Sequence, residues 1–428
     1  MLPMLLKRIA DISDRLRQVL LCLLFACAVN SVMATPTTPV PGIVVPIGGA
    51  LRYDNDEVWK RLVELAGGKG ANYVVLPTAA GNPQRTAKLI AETLSRHGAV
   101  VVTIPIAPRW PDTDAGKAAH DTQWVEKIRA ANGVFLSGGA QERIVDTLAP
   151  DGSETPVLKA IRELLNRGGV VAGTSAGAAI MSSVMFRDAQ DVHSILKGVM
   201  RDGKEIDRGL GFVGSEIFVD QHFLRRGRIG RMLPLMANKG YQLGLGVDEN
   251  SAAIFRGGEI EIIGAKGALL VDLSTAQRDM QPGPFNISNA RLSYLDHGDR
   301  YVIATRQAQA SARKAEDHRL DHSAAGFKPY FDNDPFYLDI LGDTTIVNAM
   351  ANLMDNRYRV AVGLAFNARP RQDDMQPDLG FEFTLTRDER SSGWFTGSFG
   401  GEDYSVFNMR LDVRPVRLPH PLYVPWKP

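Results

Sequence analysis

Cysteine is almost missing from this chain of 428 residues: there are two, Cys22 and Cys27, and both fall inside an apolar run near the N-terminus. Everything downstream is thiol-free, which excludes disulfide staples, cysteine-based metal sites and a cysteine nucleophile there. Histidine is scarce, at eight, so an imidazole base has few candidates. An excess of either charge is absent too, since 49 basic against 48 acidic side chains leave a formal +1. That argues against a global pull toward nucleic acid or anionic membrane, and any charged ligand must be recognised locally. No apolar run reaches the ~20 residues of a membrane span. Internal repeats and low-complexity tracts are also missing. Stability has to come from core burial alone, which this length supports in two domains or in one large domain with an appendage.

The N-terminus reads as a targeting segment. Lys7, Arg8, Arg15 and Arg17 precede the apolar run Val19–Val29, and Val32-Met33-Ala34 supplies a small-residue cleavage pattern. The expectation is a signal peptide over residues 1–34, cut after Ala34, with Thr35 as the first mature residue. An uncleaved anchor is the rival, and the apolar run is short for it. The charged stretch is long for such a segment, which a translation start at Met4 would shorten. The mature chain is then secreted or periplasmic, with no membrane attachment.

After a Pro/Thr-rich leader, short Val/Ile/Leu runs alternate with helical patterns. Strands are predicted at 42–49, 72–77, 99–105 and 133–139, with helices near 57–66, 84–97, 124–131 and 155–166 between or after them. This alternation is the pattern of a parallel sheet covered on both faces. Ligands in such sheets bind beyond the carboxyl ends of the strands, where Gly48-Gly49 and Ser137-Gly138-Gly139 fall. The pattern then changes to short strands at 243–248, 252–255, 259–263 and 268–272, which read as antiparallel hairpins, and a strand near 301–304. The segment 307–329 reads as polar and helical or linker-like. A distinct C-terminal region follows, with a helix near 343–354 and strands near 358–366, 381–386, 394–399 and 404–413. The domain reading is 35–310 for the main domain and 311–428 for an extension of unassigned role. Asp332-Asn333-Asp334 lacks the spacing of a calcium loop and reads as a turn; no metal or cofactor is called for.

The most informative stretch is Gly168–Met181. A buried strand, a tight turn at Ser175 and an immediate helix surround Gly173-Thr174-Ser175-Ala176-Gly177, which fits the G-x-S-x-G nucleophile elbow. A serine there projects its hydroxyl off the sheet edge, and its neighbours must be small because other backbone passes close by. The bland alternative is a Gly/Ala-rich turn packing a helix on a sheet. A serine needs a base within hydrogen-bond reach, usually oriented by a carboxylate. His193 follows closely, in a polar stretch. His222 stands where the apolar run Ile217-Phe218-Val219-Asp220 gives way to a turn and then to Arg225, Arg226, Arg228 and Arg231. By position alone it is either that base or a structural histidine at a strand end. Asp248 and Glu249 end another strand, and adjacent residues on a strand face opposite ways, so only one can meet a given histidine.

Taken in order, Ser137-Gly138-Gly139-Ala140-Gln141, the Ser175 elbow, Asp220-Gln221-His222-Phe223 with its arginines, and Gly246-Val247-Asp248-Glu249 resemble the cyanophycinase family of serine peptidases over roughly 42–304. The resemblance implies Ser175 as nucleophile, His222 as general base and Glu249 as its orienting acid, with Asp248 the fallback. It implies an oxyanion hole from the amides of Ala176 and Gly139, and a pocket lined by Gln141, Asp220, Gln221, Arg226, Arg228 and Arg231. The implied fold is α/β, a flavodoxin-like doubly wound sheet of the class I glutamine amidotransferase-like type, here with a smaller β-rich C-terminal region. The implied substrate is cyanophycin, poly-aspartate carrying arginine on each side chain, cut to β-Asp-Arg dipeptides. Short aspartyl or isoaspartyl peptides, and a non-catalytic exported binding protein on the same scaffold, are the alternatives. The oligomeric state is left open, a homodimer included.

Overall fold

The structure is a computed structural model and describes residues 42–187, 191–278, 284–314, 318–397, 403–419 and 421–426. The signal-peptide reading and the Pro/Thr leader lie outside the described residues.

The first strand-helix units fold as their periodicity dictates. Strands β1 (Ile43–Ile47), β2 (Asn72–Leu76), β3 (Val100–Thr103), β4 (Gly133–Leu136) and β5 (Val170–Thr174) pair in parallel in the order β3-β2-β4-β5-β1. Their side chains alternate between two faces. Ile43, Val45, Ile47, Val75 and Phe135 pack on one face with the helices Asp56–Leu65 and Pro83–Arg96. Val44, Val74, Leu136 and Val171 pack on the other with Thr122–Arg129, Gln141–Leu148 and Pro156–Asn166. Both faces are therefore covered, the condition under which a parallel sheet is stable. Asn55, Asn82, Asp121 and Thr155 each cap a helix N-terminus with a side-chain oxygen.

The chain next forms a small hairpin of β6 (Val184–Phe186) and β7 (Ile206–Arg208), then β8 (Ile217–Asp220) and β9 (Leu243–Val247), which pair in parallel. The run expected as one set of hairpins is shared between two sheets. Strand β10 (Ser251–Arg256) adds antiparallel to β1 and β11 (Glu259–Gly264) antiparallel to β10, extending the first sheet, whereas β9 pairs with β12 (Ala268–Asp272) in a second one. The two sheets part at Asp248–Asn250. A strand absent from the sequence expectations, β13 (Ile287–Leu295), continues the second sheet, while β14 (Arg300–Val302) and β15 (Gln307–Gln309) finish the first. The segment expected to be helical or linker-like thus begins as an edge strand.

The C-terminal region adds β16 (Phe336–Tyr337), β17 (Val360–Ala365), β18 (Leu379–Thr386), β19 (Ser392–Thr396) and β20 (Asp403–Arg417) to the second sheet, ordered β16-β17-β18-β20-β13-β12-β9-β8 with β19 on β20. The division drawn at 310 therefore marks no break. Strand β20 pairs directly with β13, and the chain from residue 41 onward is one compact unit. The second sheet packs Ile217, Val219, Leu245 and Leu270 toward the first. Its other face buries Phe218, Leu269, Leu292 and Phe383 under the helices Ile229–Lys239 and Thr345–Met354. Among the described residues no helix is long and apolar enough to cross a membrane.

Candidate active site

Strand β5 ends at Ser175, which has φ 53° and ψ −108°, a left-handed backbone that a non-glycine residue adopts only under constraint. The flanking glycines allow it. A Cβ on Gly173 would lie 2.4 Å from the Gly177 carbonyl oxygen, and one on Gly177 2.4 Å from that of Leu136. The helix Ala176–Ala179 starts at once.

Three successive carbonyls at the exit of β1 tie the site together. Ile47 O accepts from Ser175 N at 2.9 Å, Gly48 O from His222 N at 2.6 Å and Gly49 O from Asn250 N at 2.8 Å. The turns after β5, β8 and β9 are thus pinned to consecutive peptide groups of one strand end. Their side chains meet there: Ser175 Oγ lies 2.9 Å from His222 Nε2, and His222 Nδ1 lies 2.6 Å from Glu249 Oε1. A carboxylate only accepts, so Glu249 holds the proton on Nδ1 and leaves Nε2 as acceptor for the Ser175 hydroxyl. His222 is buried, and the site brings it within contact of Gly49, where a Cβ would fall 2.3 Å from Nε2.

Asp248 faces the other way. Its Oδ1 accepts from the amides of Leu224 and Arg225, both at 3.1 Å, so it fastens the loop that carries His222. Burial pushes its carboxyl above the ordinary range. Of the two adjacent acids, which follow β9 in the turn, Glu249 meets the imidazole. His193 pairs instead with Asp191 at 3.8 Å, on the short helix Val192–Leu196.

Burial lowers the His222 pKa from its ordinary value; the Glu249 hydrogen bond opposes this, and the charges of Arg226 and Arg228 add to it. The imidazole is therefore neutral, and able to accept a proton, below the pH at which an exposed histidine would be.

A cavity of about 800 Å³ opens beside Ser175, lined in part by Gly139, Gln141, Gln221, Arg226, Arg228 and Arg231. Asp220 is not on this wall. It is buried beneath, where Arg231 grips it through two bonds, Nε to Oδ2 at 2.7 Å and Nη2 to Oδ1 at 2.6 Å, with Arg228 3.4 Å away. Burial alone would raise the Asp220 pKa, but these two guanidinium groups overcome it and hold the carboxylate below its ordinary range. Asp220 thus orients arginines rather than facing the cavity. Arg231 also stacks over Phe186 at 4.3 Å. Burial and the Arg231 charge pull the Arg228 pKa down to about 9, which leaves it charged at neutral pH. Gln141 donates to Phe186 O at 2.8 Å, while the buried Gln221 Oε1 has no protein partner among the described residues. Arg225 turns away to an ion pair with Asp343.

Arg109, Arg143 and Arg187 complete the wall. Arg109 and Arg187 come from segments that carry no motif, and Arg143 lies just beyond the Gly138-Gly139-Ala140-Gln141 motif. Glu142, beside Gln141, lies on the same wall. The amide of Ala176, first in its helix, is one of those a helix cannot pair internally, and Gly139 lines the same cavity as Ser175. Among the described residues no group of three or more His, Cys, Asp or Glu is arranged to hold a metal.

The family model for peptidase family S51 matches residues 47–263, about half of the chain and all three of Ser175, His222 and Glu249. The chain belongs to that family. It is a serine-type peptidase, and the resemblance drawn from the four motifs holds. The cyanophycinase of Geminocystis herdmanii (strain PCC 6308) is 30% identical over 275 residues, covering 62% of this chain and 96% of that protein. The cyanophycinase of Nostoc sp. (strain PCC 7120) is 29% identical over 282 residues, 64% of this chain and 89% of that one. Among solved structures, a peptidase from an acI-B1 Actinobacterium is 18% identical with a TM-score of 0.43, over 64% of this chain and 96% of that one. A putative peptidase E from Listeria monocytogenes EGD-e is also 18% identical, with a TM-score of 0.37 over 53% and 99%. The S51 match ends at residue 263, so the strands from β12 onward lie beyond it.

Proposed function

We propose that this S51 peptidase hydrolyses the poly-aspartate backbone of cyanophycin to β-Asp-Arg dipeptides, through an acyl-enzyme on Ser175. The observation that carries the reading is the Ser175–His222–Glu249 chain, at 2.9 and 2.6 Å, opening onto an arginine-walled cavity. In the first step His222 Nε2 takes the hydroxyl proton as Ser175 Oγ bonds to the backbone carbonyl carbon. The carbonyl oxygen, now anionic, is received by the amides of Ala176 and Gly139. Collapse of this intermediate breaks the C–N bond, and His222 returns its proton to the departing amine. A water deprotonated by His222 then attacks the ester, and Ser175 leaves with the proton restored. Glu249 keeps the imidazole in the right tautomer and stabilises its charged form. Each oxyanion donor in such a site typically contributes ~10²–10³ in rate.

Cyanophycin presents a free α-carboxylate on every arginine branch. Guanidinium groups bind carboxylates strongly, which suits Arg226 and Arg228 to that group, while Arg231, whose fork is held by Asp220, lends its positive charge to the wall. The names of the Geminocystis and Nostoc relatives support the same substrate. We further propose that the protein acts after export to the periplasm or the medium, on the charged, apolar and small-residue order of its first 34 residues.

The test is mass spectrometry of the products formed from cyanophycin by the purified protein. The dipeptide is expected from the wild type and none from Ser175→Ala at equal folded stability. Substantial release by Ser175→Ala would end the proposal. Cleavage of short aspartyl peptides with cyanophycin left intact would replace the substrate but keep the mechanism.

A further inference from the structure

The cavity wall is lopsided in charge. Six arginines line it, Arg109, Arg143, Arg187, Arg226, Arg228 and Arg231, against a single carboxylate, Glu142. Several of the cations are already answered from behind. Arg187 pairs with Asp146 and Asp207, both at 2.7 Å, and Arg228 and Arg231 share Asp220. Arg143 donates to the carbonyls of Ala79 and Ala80 at 3.1 and 3.3 Å and has no carboxylate partner among the described residues.

Glu142 stands out in this setting. It is half-buried in the first turn of the helix Gln141–Leu148, between two other residues of the wall. Among the described residues it makes neither an ion pair nor a side-chain hydrogen bond, although arginines crowd the same cavity. A carboxylate held in a cationic cavity without pairing is an open acceptor for a cation from outside. The substrate proposed above carries one. Each arginine branch has a guanidinium as well as a carboxylate, and a wall made of arginines alone would repel the guanidinium. Glu142 and Arg143, adjacent on the wall, offer the complementary pair of charges.

We propose that Glu142 binds the guanidinium of a substrate arginine and so selects arginine-bearing polymer over neutral analogues. The inference rests on the cyanophycin reading. A carboxylate accepts two parallel N–H groups of a guanidinium, an arrangement stronger than a bond between neutral partners. A helix N-terminus also favours a negative charge for purely structural reasons, so the test needs a readout that such a role would not move.

That readout is the selectivity between a short soluble β-Asp-Arg oligomer and the same oligomer built with citrulline, which exchanges the charged guanidinium for a neutral urea of nearly the same shape. The expected result is that the wild type prefers the arginine oligomer by about tenfold to a hundredfold in kcat/KM. Glu142→Gln should bring the ratio close to one by losing arginine-oligomer turnover, with the citrulline oligomer little changed. Glu142→Lys should turn the preference toward citrulline, and it serves as the second variant should the glutamine form fold poorly. Equal losses on both oligomers, or an undiminished arginine preference in both variants, would overturn the role of Glu142 while leaving the peptidase reading intact. Failure of the wild type to cleave either oligomer would overturn both.

Discussion

Replacing Gly49 with alanine tests whether the exit of β1 really sets the geometry of the site. Gly49 has φ +104°, and a Cβ built on it would sit 2.3 Å from His222 Nε2. Ordinary carbon contacts begin near ~3.5 Å, so the imidazole or the strand end would have to move by about 1 Å. The backbone itself would add about 1–3 kcal/mol of strain in a region where alanine is rarely found. The ring has little freedom, because Nδ1 is held by Glu249 at 2.6 Å and the backbone N–H by Gly48 O at 2.6 Å. The displacement therefore falls on the Ser175–His222 contact, now 2.9 Å, and a separation near ~3.6 Å is no longer a hydrogen bond. Misplacement by ~1 Å in such a site can cost about 10²-fold in rate. The assay is kcat for dipeptide release from cyanophycin, alongside a thermal melt. A fall of about 10²-fold in kcat, with a folded protein whose melting point drops only modestly, is the expected outcome. Retention of kcat within about threefold would refute the reasoning, since less than ~1 kcal/mol of barrier would then depend on that contact.

Arg226 is among the charges that lower the His222 pKa. Removing it in Arg226→Gln relieves repulsion of the imidazolium, so the pKa rises and the acid limb of kcat/KM moves to higher pH; a shift to lower pH would contradict this. Glu249→Gln should lower kcat by about 10³–10⁴ with the fold intact, because the imidazole loses the partner that fixes its tautomer. Asp248→Ala should behave differently, leaving two loop amides without their acceptor and costing about 1–3 kcal/mol of stability in a denaturant titration. Similar kinetic and stability losses in both variants would contradict their assignment to different tasks. A chain ending at 310 should fail to fold, because β13 loses β20 along its length and Asp296 and Asp299 lose the buried Lys314 beside them. A soluble, cooperatively melting fragment would show that reasoning to be wrong.

Much of this architecture was legible in the order of the residues because it rests on short-range patterns. Apolar runs such as Tyr73–Leu76 and Val134–Leu136, spaced by amphipathic helices, can be stable only as a sheet covered on both faces, and strands β1 to β5 lie where they were predicted. The Ser175 elbow was readable for a similar reason, since small residues on both sides of a serine, between strand and helix, are a local signal. The separation of β9 from β10 into different sheets was not readable. Both are short apolar strands, and the turn Asp248–Asn250 gives no local sign that Gly49 O will capture Asn250. Strand β13 carries no clear sequence signal because a register shift near Asn289, which has φ +59°, breaks its alternation between Ile287 and Ala290. At the site, residues that sit in a recognisable motif are legible however far apart the motifs lie, as Ser175, His222 and Glu249 are, and residues outside any motif are not. Arg226, Arg228 and Arg231 follow His222 within one turn and helix, whereas Arg109 and Arg187 reach the cavity from distant loops. The family resemblance implies Asp220 as a pocket residue; its burial under two arginines depends on packing that a motif does not reveal.

The central claim is that three turns pinned to one strand end make the Ser175 hydroxyl reactive. Labelling with a fluorophosphonate, followed by peptide mapping, addresses it without assuming any substrate. The predicted result is one adduct, on the peptide containing Ser175, formed by the wild type and lost in His222→Ala under the same conditions. An adduct on a different serine, or equally rapid labelling without the imidazole, would contradict the account.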